Sequence, residues 1–125
     1  MKVLDTSVAV DHLRGFPAAG ELLHRLVATG EDLIASEIVR FELAAGVREE
    51  ARGALEEFFR VPTWVPVDEA VARRAGELAR EHRASHGGID AADFLIAATV
   101  QLFEADLLTT NVRHFPMLPG LRAPY

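Results

Sequence analysis

Short apolar runs alternate with longer stretches of helical period along this chain, and that alternation sets the expected architecture. Val3-Leu4 reads as a first buried strand, and Val8, Ala9, Val10 and Leu13 fit a short helix stopping near Gly15. Pro17 opens a second helix whose stripe is Leu22, Leu23, Leu26 and Val27, ending before Gly30. Asp32-Leu33-Ile34-Ala35 reads as a second strand. Ser36 can cap the next helix, which runs through Ile38, Val39, Phe41 and Leu43 to Gly46. A further helix from about Glu49 carries Leu55, Phe58 and Phe59 as far as Pro62. Trp64-Val65-Pro66-Val67 is a strand whose proline assigns it to a sheet edge. Asp68 caps a long helix through Val71, Ala75, Leu78, Ala79 and His82, and His86-Gly87-Gly88 is a turn. From Ile89-Asp90-Ala91-Ala92-Asp93 onward the helix through Phe94 to Phe103 is apolar on all sides, which places it centrally. Leu107-Leu108-Thr109 is the next strand, Asn111 to Pro116 a tight segment, and Leu121 to Ala123 a last edge strand.

Strands separated by helices predict an α/β fold: a three-layer α/β/α sandwich around a parallel sheet of about five strands. The 125 residues suit a single domain spanning 1–125. No apolar run reaches membrane-spanning length, and Asp5 interrupts any secretory leader pattern. The absence of cysteine excludes disulfides and thiolate metal sites and fits a cytoplasmic protein. A net charge of −6 argues against generic binding along a phosphate backbone. It leaves room for an enzyme whose acids gather round a cation. Lys2 is the sole lysine, so the basic residues are otherwise arginines suited to bidentate contacts.

Four polar positions fall where such a fold concentrates chemistry. Asp5 follows the first strand, and Asn111 follows the strand ending at Thr109. Asp93 lies in the first turn of the central helix, and Glu42 sits within an apolar helix. Strand ends and helix starts share one edge of a parallel sheet, so Asp5, Asp93 and Asn111 can converge there. Grouped carboxylates repel and raise one another's pKa, a conflict that Mg²⁺ or Mn²⁺ resolves. Each position also has an ordinary reading. Asp5 can be a helix-capping residue, and Ser7 or Thr6 can cap the same helix. Asp90 with Asp93 resembles a capping arrangement, which assigns Asp90 a structural role. Asn111 suits a turn, and Glu42 needs a partner only if it is buried. His12, His24, His82, His86 and His114 have no paired metal spacing and read as surface or packing residues.

Val3-Leu4-Asp5-Thr6-Ser7, the Glu42 helix, Asp93-Phe94-Leu95-Ile96-Ala97-Ala98-Thr99 and Leu108-Thr109-Thr110-Asn111-Val112-Arg113-His114-Phe115 together resemble the PIN-domain ribonucleases, and more narrowly the VapC toxins of type II toxin–antitoxin modules. The resemblance spans nearly the whole chain. It implies a metal-dependent endoribonuclease in which Asp5, Glu42 and Asp93 hold Mg²⁺ or Mn²⁺, with Asp5 and Asp93 as direct ligands. It further implies that Thr109 lies beside the site, supported by Thr6 and Asp90. Asn111 occupies a fourth position that is often Asp, so one negative charge is missing. The expected partners are an RNA substrate, a small VapB-type antitoxin whose Arg can pair with the acids, and a second copy of the chain. Apolar residues in Arg40–Val47 and Ala51–Phe59 agree with such a homodimer. Two other readings compete. A phosphoacceptor receiver domain would need an acidic pair after the first strand and a lysine near the last, and this chain has neither. A weakened module that engages antitoxin or RNA without cleavage would make Asn111 a mark of lost catalysis.

Overall fold

The computed structural model describes residues 1–85 and 87–125. Four strands form one parallel sheet: β1 (Lys2–Leu4), β2 (Leu33–Ser36), β3 (Thr63–Val65) and β4 (Asp106–Leu108), in the order β3-β2-β1-β4. Val3 pairs with Ile34 on one side and with Leu107 on the other, and Ser36 pairs with Val65. The expected fifth strand at Leu121–Ala123 is irregular chain instead. Pro119 and Pro124 flank it and bring no N–H, while Gly120 turns with φ +80°. β3 lies at an edge, as its neighbouring proline requires.

Six α-helices flank the sheet: α1 (Thr6–Leu13), α2 (Pro17–Ala28), α3 (Glu37–Gly46), α4 (Arg52–Phe58), α5 (Glu69–His82) and α6 (Ala91–Leu102). Local chemistry sets their starts. Pro17 occupies the first turn of α2, Ser36 Oγ accepts from the Ile38 amide at 3.2 Å, and Asp68 Oδ1 accepts from the Val71 amide at 3.0 Å. A 3₁₀ turn at Glu49–Ala51 leads into α4, so the single helix expected from Glu49 is divided. His86, part of the expected His86-Gly87-Gly88 turn, lies outside the described residues. Among the described residues no helix is long and apolar enough to cross a membrane.

The central position expected for the apolar helix is observed. Phe94, Ile96, Ala97, Ala98 and Val100 of α6 are buried, and the helix packs on α5, α3, β1, β2 and β4. Val3 and Leu4 of β1 are wholly buried between its neighbours. On the outer side of β4, an open recess of about 400 Å³ is lined by Lys2, Asp106, Leu108, Leu118, Pro119 and Pro124, among others. Lys2 Nζ bonds Asp106 Oδ2 across its rim at 3.0 Å.

Sheet order positions the site. From β1 the chain builds outward through β2 to β3, then returns to the opposite flank of β1 as β4. The carboxyl ends of β1 and β4 therefore border the crevice where strand order reverses. Leu4→Ala should lower the unfolding free energy by about 2–5 kcal/mol in urea titration, because the site cannot collapse on the space vacated. Asp68→Ala should cost only about 1 kcal/mol in the same measurement, the worth of one cap.

Candidate active site

Asp5 leaves the end of β1 at the N-cap position of α1, yet its carboxylate caps nothing. It turns instead toward β4. Its Oδ2 accepts the Thr109 hydroxyl at 2.6 Å and the Ser7 hydroxyl at 2.9 Å. Thr109 is fully buried and Asp5 nearly so. The Asp5 amide donates to the Leu108 carbonyl at 3.0 Å, which extends the β1–β4 pairing to the residue that carries the acid. Neither Ser7 nor Thr6 caps α1: Ser7 Oγ also accepts from the Thr110 amide at 3.1 Å, and the Thr6 hydroxyl donates to Glu42 Oε1 at 2.7 Å.

Glu42 reaches the same place from α3. It is half-buried, and Thr6 supplies the partner that a buried acid requires. Asp93 arrives from the first turn of α6 through a reciprocal capping box: its amide donates to Asp90 Oδ1 at 3.1 Å, and its Oδ2 accepts from the Asp90 amide at 3.2 Å. The capping role read for Asp90 is the one observed. Asn111 follows β4, and its amide donates to Thr109 Oγ1 at 2.9 Å. A 3₁₀ turn at Val112–His114 then brings His114 to the crevice, with Nδ1 3.2 Å from Asp93 Oδ2.

Asp5, Thr6, Ser7, Asp11, Glu42, Asp90, Asp93, Thr110, Asn111 and His114 line one open crevice of about 370 Å³. Five of these are carboxylates, and neither lysine nor arginine joins them. Burial, reinforced by the charges of Asp90 and Asp5, raises the Asp93 carboxyl to about 6, against the lowering effects of the Asp90 amide bond and His114. All the expected acids and Asn111 therefore meet in one place, with Thr109 bonded behind Asp5.

Three contributors escaped the sequence reading. Ser7, which with Thr6 is a capping candidate by sequence, bonds Asp5 instead. Asp11 lies two turns beyond Asp5 on α1 and was not singled out. His114 was read as a surface or packing residue because it has no histidine at metal-ligand spacing; its contact is an aspartate on another element. The usable signal was its position just after β4, on the sheet edge where Asp5 and Asp93 already converged.

By chemistry the crevice fits a hard divalent cation: its acids offer oxygens, and only the His114 imidazole stands against their negative charge among the described lining residues. Among the described residues, no three acid or imidazole side chains stand close enough together, as placed, to hold an ion. Asp5 and Asp93 are the best-suited pair, since in each the hydrogen bonds and ion-pair contact fall on Oδ2.

Comparison with known proteins accords with this geometry. The PIN domain family model matches residues 2–118. Ribonuclease VapC19 of Mycobacterium tuberculosis is 60% identical over 125 residues, covering all of both chains. Ribonuclease VapC10 of the same organism is 37% identical, covering 100% of this chain and 93% of its own. A chain of a toxin–antitoxin complex from Klebsiella pneumoniae superposes with a TM-score of 0.82 at 23% identity, covering 100% of this chain and 98% of its own. A family match over almost the entire chain, a relative identical at three positions in five and a shared fold have one conclusion: the chain belongs to the PIN-domain family, alongside the VapC proteins.

Proposed function

We propose that this protein is a metal-dependent endoribonuclease, the toxin of a type II toxin–antitoxin pair, with Asp5, Glu42, Asp93 and Asn111 as its working residues. The observation that carries the reading is a crevice at the β1–β4 switch point lined by five carboxylates and no lysine or arginine. Relatives named as ribonucleases point the chemistry toward RNA. Asp5 and Asp93 would hold Mg²⁺ or Mn²⁺, with Glu42 contributing directly or through water. When bound, the ion lowers the pKa of a coordinated water and offsets charge on the phosphate oxygens.

The chain's own side chains divide the remaining work. Thr109 and Ser7 fix Asp5 by donating to one oxygen. Glu42 receives the Thr6 hydroxyl on Oε1, which leaves Oε2 to orient the attacking water and accept its proton; Asp93 is the other carboxylate suited to that task. The Asn111 amide group can donate to a substrate oxygen, a contact that an aspartate there could not make. Thr109 supports the site from behind Asp5, and Asp90 holds Asp93 through the capping box.

The same reading includes a small VapB-type antitoxin, in keeping with the toxin–antitoxin complex among the structural neighbours. It also includes a homodimer, for which α3 offers Phe41 at 64% exposure. The same reading places the protein in the cytoplasm, a setting in keeping with a chain that has no cysteine.

Purified protein free of antitoxin should cleave RNA in Mn²⁺ or Mg²⁺ and not in EDTA. Asp5→Ala, purified identically, should lose at least about a hundredfold in rate while unfolding as the parent does. Metal-dependent cleavage that persists in Asp5→Ala would overturn the assignment. If RNA stays intact throughout, Asn111→Asp separates a disabled site, which it restores, from a narrow target. In EDTA, carboxyl NMR of Asp93 should titrate with a midpoint near 6. Below that pH a proton occupies the carboxyl and competes with a cation, so divalent affinity should fall as pH drops through 6, and cleavage with metal present should fall at a lower pH. Added Mg²⁺ should pull the midpoint down.

A further inference from the structure

The segment from Thr109 to His114 touches both buried carboxylates. At one end the Thr109 hydroxyl holds Asp5 Oδ2 at 2.6 Å. At the other, His114 Nδ1 stands 3.2 Å from Asp93 Oδ2. The turn between them is tied internally: the Asn111 amide donates to Thr109 Oγ1, and the His114 amide donates to the Asn111 carbonyl, each at 2.9 Å. Phe115, buried to 1% exposure, anchors the next position in the core. The imidazole is therefore delivered to Asp93 by β4 and its turn, from a different element than the one that carries the acid.

The oxygens of Asp93 are unequal in consequence. Oδ2 accepts the Asp90 amide at 3.2 Å, and the His114 imidazole stands at the same distance as an ion-pair contact, charged when the ring is protonated. Among the described residues no donor meets Oδ1. We propose that His114 is a positioning residue for Asp93: by engaging Oδ2 it fixes the carboxylate so that Oδ1 is the oxygen offered to the cation. This rests on the reading of Asp93 as a metal ligand. A carboxylate that binds a cation is oriented by its other polar contacts, and groups in that place govern affinity without touching the ion. With the β4 turn bonded to Asp5 as well, one short segment governs the spacing of both acids.

The inference is tested by titrating Mn²⁺ calorimetrically into the parent protein, His114→Ala, His114→Asn and Asp93→Asn, each checked by thermal unfolding. The His114 side chain is 46% exposed, so its removal opens no core cavity. Asparagine can present an N–H close to where Nδ1 stands. His114→Ala should weaken Mn²⁺ binding roughly tenfold or more, and His114→Asn should recover to within about threefold of the parent. Parent affinity in His114→Ala, or equal weakness in the Ala and Asn variants, would overturn the positioning role. Unchanged binding in Asp93→Asn would instead sink the reading of Asp93 as a ligand, on which the inference depends.

Discussion

The hydroxyl of Thr109 donates to Asp5 across the seam between β1 and β4, and the layout of the crevice follows from that bond. Parallel pairing alone brings two strand ends together but leaves the side chain after β1 free to choose a direction. An aspartate at a helix start ordinarily turns to the amides of its own first turn. Here the buried threonine, with Ser7, outcompetes those amides and turns the carboxylate toward the neighbouring strand. Ser7 is engaged between Asp5 and the Thr110 amide, and Thr109 between Asp5 and the Asn111 amide. Five residues at two strand ends are thus locked together, and each hydroxyl serves as donor and acceptor at once.

Against this rigid side stands a charge problem. Asp93 is nearly buried close to two other acids, and its carboxyl is raised to about 6. Folding supplies partial relief through one amide and one imidazole, and leaves the remainder for whatever binds. Negative charge is thus left over at this end of the sheet, of the kind that a cation would offset.

Much of this was legible in the chain. The helix caps at Ser36, Asp68 and Asp90 were readable because capping is local chemistry, settled within three residues. The centrality of α6 followed from its apolar circumference, and the edge position of β3 from its proline. Convergence of Asp5, Asp93 and Asn111 followed from strand–helix alternation, since a parallel sheet gathers strand ends and helix starts on one side. Direction of side chains was not legible. Nothing local distinguishes an aspartate that caps from one that crosses to another strand, and the Thr109 that decides lies 104 positions away. His114 was missed for the same reason: its meaning resides in Asp93, 21 positions earlier in the chain. The fifth strand failed for a different cause, because apolar character at Leu121 and Ala123 outweighed the two prolines that deny it a ladder.

Those prolines have a further effect on how the sheet meets its surroundings. A parallel sheet of four strands has two outer edges, and each offers backbone donors and acceptors to any extended segment that approaches. β3 is bracketed by Pro62 and Pro66, which supply no N–H on either side of its three residues. β4 is faced by a chain carrying Pro119 and Pro124, and the Lys2–Asp106 ion pair sets charge at one end of it. Both margins are short, interrupted and in one case charged. That combination opposes strand-to-strand growth between molecules through either edge of the sheet.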